Sequence, residues 1–174
     1  PMAANYSWTF TTRAGPAVQK VKNYTAYSNS YYKNLVRSGN SIFFARSEPA
    51  TGLELWKTDG TAAGTTLVKD IFAGPNGTTI ECPVDVNGVL FFFATNGING
   101  KELWKSDGTA AGTVMVKDIN PGPGDGYFSI CNQYTQGANN NGVFYFAGYD
   151  PTNGNELWKS DGTAAGTVLI KDIY

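Results

Sequence analysis

ELWKSDGTAAGTVMVKDI, residues 102–119, decides the fold because the chain uses it three times. The same block reads ELWKTDGTAAGTTLVKDI at 54–71 and ELWKSDGTAAGTVLIKDI at 156–173. The differences are conservative or suit a surface: Thr58 against Ser106 and Ser160, Thr66 against Val114 and Val168, Leu67 against Met115. A block copied this closely is one structural unit. Catalytic residues are usually unique, whereas a residue repeated in register serves architecture. The copies start at Glu54, Glu102 and Glu156, a period of about 50 residues that points to propeller blades or a stacked array.

Each unit contains four strand-like segments. In the middle unit they fall at 82–86, 89–95 (VLFFFAT), 101–105 (KELWK) and 114–119. Asn87-Gly88 separates the first two with a strong hairpin signal. Asn99-Gly100 precedes the third, and residues 106–113 form a Gly-rich connection to the fourth. The segment Asn120-Pro121-Gly122-Pro123-Gly124 cannot be regular structure. No window shows a helical period. IFFA (42–45), VLFFFA (89–94) and VFYFA (143–147) are apolar at successive positions, so both faces of these strands are expected to be covered. The expected fold is therefore all-β. It consists of three propeller-type blades of four antiparallel strands, a partial propeller or one completed by association. Propellers have about four to eight blades, so three copies do not close a ring. The expected divisions are 1–22 (an amino-terminal strand and linker), 23–71, 72–119 and 120–174. The Tyr-rich stretch 23–37 supplies the first strand of the first blade. Pro1 is an odd first residue and suggests a processed or excised piece.

The chain has 174 residues, a formal net charge of −1 and no histidine. There is no basic patch to neutralise phosphates, so nucleic acid is not an expected partner. The apolar runs are far too short to span a membrane as a helix, and no signal peptide is visible. The missing histidine removes the usual general base, the usual zinc ligand and any Ser-His-Asp triad. Among the nonrepeated acids, Glu48, Glu81, Asp85, Asp125 and Asp150, nothing in the sequence brings two together for paired-carboxylate chemistry. Catalytic residues and cofactors are expected to be none. Abundant Gly and turn residues suit a turn-rich, extracytoplasmic protein.

The turn triplets Asp59-Gly60-Thr61, Asp107-Gly108-Thr109 and Asp161-Gly162-Thr163 read as pinned turns. The aspartate accepts backbone N–H groups two residues on, and the glycine permits positive φ. Trp56, Trp104 and Trp158 read as core between blades with their N–H satisfied nearby, and sugar stacking is the alternative. Cys82 and Cys131 fall in comparable places and could bridge neighbouring inner strands, or remain buried thiols. Asp150, Asn153, Asn155 and Glu156 are the best calcium candidates, although no loop matches a complete calcium pattern. Tyr127, Phe128, Tyr134 and Tyr149 are candidate glycan contacts. Three matches to the N-glycosylation pattern, at Asn5, Asn23 and Asn76, read as chance.

Glu54-Leu55-Trp56-Lys57-Thr58-Asp59-Gly60-Thr61 and its two copies resemble the ELWxxDGT repeats of bacterial secreted and cell-surface proteins. The downstream Ala-Gly-Thr and Lys-Asp-Ile and the upstream Phe-Phe-Ala fit the same repeat, over roughly residues 38–173. The resemblance implies four-stranded propeller blades, surface display or adhesion, and no catalytic motif. The Ser-Asp-Gly-Thr turn is also similar to the Asp-box of sialidase-type blades, with different spacing. The alternating stretch 5–12 (NYSWTFTT) resembles the last strand of a bacterial immunoglobulin-like domain. Together these readings lead to an extracellular or cell-surface repeat module with a structural, assembly or adhesive role. Self-association or neighbouring domains are its expected partners. A glycan-binding propeller is the alternative, and a polysaccharide-active enzyme fragment the third reading.

Overall fold

The computed structural model describes residues 33–127 and 137–173. The expected strand and linker at 1–22, and the Tyr-rich residues before 33, lie outside them. The described chain is all-β: three four-stranded antiparallel sheets and no helix. Sheet 1 contains β1 (Lys33–Ser38), β2 (Ser41–Glu48), β3 (Gly52–Thr58) and β4 (Thr66–Lys69) in that order. Sheet 2 repeats it with β5 (Glu81–Val86), β6 (Val89–Ala94), β7 (Glu102–Ser106) and β8 (Val114–Lys117). Sheet 3 has β9 (Ala138–Asn140), β10 (Val143–Asp150), β11 (Gly154–Ser160) and β12 (Val168–Lys171). Each is a meander, as expected where short Gly-containing turns join consecutive apolar runs.

Pairing registers are repeated as closely as the sequence. Trp56 lies opposite Phe44 and Leu67, Trp104 opposite Phe92 and Met115, Trp158 opposite Phe146 and Leu169. The fourth strands end at Lys69, Lys117 and Lys171, so the Asp-Ile that closes each block leaves the sheet, contrary to the expected strand over 114–119. The departure has a physical cause: a glutamate takes the backbone N–H groups at and just after that isoleucine, as shown below. The first strands of sheets 1 and 2 carry bulges at which Asn34 (φ 59°) and Cys82 (φ 48°) take left-handed backbone. Such bulges twist and re-aim a strand.

Two apolar cores lie between the sheets. Between sheets 1 and 2, Phe43, Leu55, Val68 and Ile71 meet Leu90, Phe92 and Trp104. Between sheets 2 and 3, Phe91, Phe93, Leu103 and Val116 meet Phe144, Phe146 and Trp158. The face pattern follows from strand alternation: residues that meet the next sheet and residues that meet the previous one alternate along β6. β2 and β6 are buried on both faces, as their apolar runs predict. β10 is not: Phe144 and Phe146 are buried, whereas Tyr145 is half-buried and Ala147 exposed. The expectation of two covered faces fails here because, among the described residues, nothing packs on the far side of sheet 3. The first strands lie in succession, β1 against β5 and β5 against β9.

Candidate functional site

The repeated turn is built as its sequence predicts, with one addition. Asp107 Oδ1 accepts the Thr109 N–H at 2.8 Å and the Thr109 hydroxyl at 2.7 Å. Thr109 Oγ1 accepts the Gly112 N–H at 2.9 Å, and the Thr113 hydroxyl donates to Thr109 O at 2.7 Å. Ser106 Oγ lies 2.7 Å from Thr113 Oγ1 and accepts the Gly108 N–H. The same network recurs around Asp59 and Asp161. Gly60, Gly108 and Gly162 have φ of 93°, 87° and 87°, conformations that suit only glycine well. The second glycine serves another purpose. A Cβ on Gly112 would sit 2.1 Å from Asp107 Oδ1, so the turn folds directly over its own carboxylate. Hydrogen bonds from the Thr61, Thr109 and Thr163 side chains, then from their backbone N–H groups, hold the three aspartates below the usual carboxylate range. In each aspartate Oδ1 accepts both bonds inside the turn, which makes the residue a staple.

The first residue of the block has a role that sequence reading missed. Glu54 is fully buried, and its two oxygens accept the Ile71 and Phe72 N–H groups, both at 2.9 Å. Glu102 accepts Ile119 N–H at 2.7 Å and Asn120 N–H at 3.3 Å. Each glutamate thus ties the end of its block back to the start. Burial pushes both carboxyls up to about 7, against the opposing pull of those N–H donors, with Asp70 and Asp118 adding repulsion. Chain leading to the next unit crosses this point: Thr78 N–H donates to Leu53 O at 2.7 Å and Gly126 N–H to Lys101 O at 3.0 Å. The signal in the sequence was the fixed span from Glu to Asp-Ile in all three copies.

Lysines join one sheet to the next. Lys105 Nζ donates to Gly162 O at 2.7 Å, Lys117 Nζ to Thr167 O at 2.8 Å and Lys69 Nζ to Thr113 O at 2.8 Å. Each reaches the pinned turn of the following copy. Lys117 Nζ also lies 5.7 Å from the Trp158 ring centroid, while Arg46 sits 4.8 Å from the Trp56 ring. Trp56, Trp104 and Trp158 are all buried, so none of these three is exposed for sugar stacking. Among the described residues, the indole N–H of Trp104 and Trp158 has no acceptor, which corrects the expected nearby partner. The Trp158 ring lies so flat on its sheet that a Cβ at Gly148 would meet it at 2.6 Å.

The remaining candidates separate. Tyr127 is 4% exposed, stacked on Phe93 at 4.1 Å between centroids, with its hydroxyl 2.6 Å from Cys82 Sγ. That packing corrects its assignment as a glycan contact. Phe128 and Tyr134 lie outside the described residues, and Tyr149 is half-buried at the end of β10. Cys82 carries no free thiol, and Cys131 lies outside the described residues. Asp150 and Asn153 do come together, but as a turn: Asp150 Oδ1 accepts the Thr152 and Asn153 N–H groups, and Asn153 Nδ2 donates to the carboxylate. Burial pushes the Asp150 carboxyl up, yet the Asn153 and Thr152 donors outweigh it and hold it below its usual range. Asn155 and Glu156 follow in β11. Among the described residues, no three His, Cys, Asp or Glu side chains converge to hold a metal, and no helix is long and apolar enough to cross a membrane.

No family model, curated protein or solved structure matches the chain.

Proposed function

We propose that this chain is a noncatalytic repeat module of an extracellular or cell-surface protein, serving a structural, assembly or adhesive purpose, with its three sheets arranged as propeller-type blades. One observation carries the reading: the repeated residues are used in joints. The aspartates pin turns, Glu54 and Glu102 tie block ends, Lys69, Lys105 and Lys117 bridge to the next turn, and Leu103 and Trp158 fill the core between sheets. The succession of first strands, β1 on β5 and β5 on β9, suits a radial arrangement with those strands innermost. The resemblance to ELWxxDGT repeats supports the surface location. Incubation with a panel of polysaccharides tests the noncatalytic reading: no release of reducing ends is expected, and hydrolysis at a rate above a heat-denatured control overturns it. A glycan array tests the lectin alternative, which loses Tyr127 and retains Tyr149 among the described candidates. Reproducible binding abolished by Tyr149→Ala would favour it.

A further inference from the structure

Six asparagines in this chain precede a glycine: Asn76, Asn87, Asn96, Asn99, Asn141 and Asn153. An Asn-Gly pair is chemically labile, because glycine has no Cβ to obstruct its backbone nitrogen as it meets the asparagine side chain. The meeting requires two freedoms. The side-chain amide must be able to turn, and the glycine N–H must not be held by an acceptor. In five of the six pairs the fold removes at least one of them. Gly88 N–H donates to Asp85 Oδ1, Gly97 N–H to Thr95 Oγ1 and Gly100 N–H to Gly122 O, each at 3.1 Å, and Gly142 N–H donates to Asn139 Oδ1 at 3.0 Å. Asn153 is held through its side chain instead, whose Nδ2 donates to Asp150 Oδ2 at 2.9 Å and to Oδ1 at 3.1 Å.

Asn76-Gly77 is the exception. Asn76 is exposed in a turn, and among the described residues neither its side-chain amide nor the Gly77 N–H has a hydrogen-bond partner. The pair nevertheless adjoins a structural joint. Gly77 (φ 68°) lies against sheet 1, where a Cβ would sit 2.1 Å from Leu53 N. The next residue, Thr78, is buried. Its N–H donates to Leu53 O at 2.7 Å, and its hydroxyl oxygen accepts the Thr95 N–H at 3.0 Å. Leu53 lies in β3 and Thr95 follows β6, so Thr78 ties sheet 1 to sheet 2.

We propose that Asn76 is a site of spontaneous modification, deamidated by its own backbone, and that the isoaspartate formed there loosens the tie between sheets 1 and 2. Gly77 N attacks Asn76 Cγ and forms an N–Cγ bond. The Cγ–Nδ2 bond breaks, and Nδ2 leaves as ammonia with the proton given up by Gly77 N. Water then opens the resulting cyclic imide. Attack at Cγ gives aspartate. Attack at the main-chain carbonyl gives isoaspartate, whose backbone runs through Cβ and Cγ and is longer by a methylene. Gly77 has no room to absorb the added length, because the Gly52 and Leu53 backbone already lies against it. The Thr78–Leu53 hydrogen bond is therefore displaced. Either product also places a negative charge on an exposed turn.

Incubation of the folded chain at mildly alkaline pH, followed by peptide mapping with electron-transfer fragmentation, tests the site. Asn76 is expected to convert about two- to tenfold faster than each of the other five, the protection that one net hydrogen bond confers. In urea-unfolded chain the six are expected to convert at similar rates. Asp85→Ala removes the acceptor of the Gly88 N–H and is expected to speed Asn87 by a similar factor. Asn76 converting no faster than the others overturns the proposal, and so does the same lead for Asn76 in the unfolded chain or an unchanged Asn87 rate in Asp85→Ala. Hydrogen exchange on the chromatographically separated isoaspartyl form tests the loosened tie. Its Thr78 amide is expected to exchange about two- to tenfold faster than in the unmodified chain. Asn76→Asp carries the same charge on an ordinary backbone and is expected to keep the original Thr78 rate. Unchanged Thr78 exchange in the isoaspartyl form, or equal acceleration in Asn76→Asp, overturns that part.

Discussion

Glu102 accepts two backbone N–H groups and still titrates near 7, because burial disfavours its charged form more than those donors favour it. The same holds for Glu54. Their folded pKa lies above the ordinary 4.5, so the folded state binds more protons than the unfolded chain between 4.5 and about 7. The stability these groups contribute is complete below 4.5 and is lost as pH rises through about 7. Each glutamate then loses on the order of 3 kcal/mol, since one pKa unit corresponds to about 1.4 kcal/mol. The turn aspartates have lowered pKa values and act the other way, losing their contribution only as pH falls below the ordinary 3.8. Urea unfolding is therefore expected to show greater stability at pH 5.5 than at pH 8. Glu102→Gln should reduce that difference by about half, because one of two such titrations is removed, and should cost about 1 kcal/mol for the replaced hydrogen bond. An unchanged pH profile in the variant would remove the buried carboxyl from this role.

At the scale of elements, copies of one sequence occupy two environments, and substitution can tell them apart. Leu103→Ala empties a closed core between sheets 2 and 3, a change that typically costs about 2–5 kcal/mol. Leu157→Ala truncates the same residue of the same block on an uncovered face, and should cost under about 1 kcal/mol. Denaturant midpoints at concentrations too low for copies to associate compare the two. Equal losses would mean that sheet 3 is covered as fully as sheet 2. Much of this arrangement was legible beforehand. The Asn-Gly hairpin, the apolar runs and the Asp-Gly-Thr turns located the strands of sheet 2 and the pinned connection to within a residue or two. What was not legible depends on neighbours. VFYFA and VLFFFA look alike, yet β6 is enclosed on both faces and β10 on one, because periodicity records composition and not position in the array. Gly112 looked like a loop closer, but only the fold shows the Asp107 carboxylate lying against it. Glu54 and Glu102 were hidden by their own repetition, since being present in every copy marked them as scaffold before their burial could be known.

At the scale of the whole molecule, the three described sheets are covered unequally, and local stability should be graded accordingly. Among the described residues, sheet 2 has a core on each side, while sheet 3 has one core and one bare face. On the inner side the rings of Phe91, Phe93, Phe144 and Phe146 pack at centroid distances of 5.2–5.6 Å. On the outer side, no comparable layer among the described residues lies over Leu157 and Ile170. Local opening requires less free energy where few apolar contacts hold an element. The strands β8 (VMVK) and β12 (VLIK) provide a matched comparison, having near-identical sequence, length and register with their neighbouring strand. Their intrinsic exchange rates are therefore close, and any difference reports the packing above them. Hydrogen exchange followed by mass spectrometry is expected to show amides of β8 protected at least about tenfold more than those of β12, a gap of about 1.4 kcal/mol in opening free energy. Equal protection in dilute protein would contradict the bare face itself.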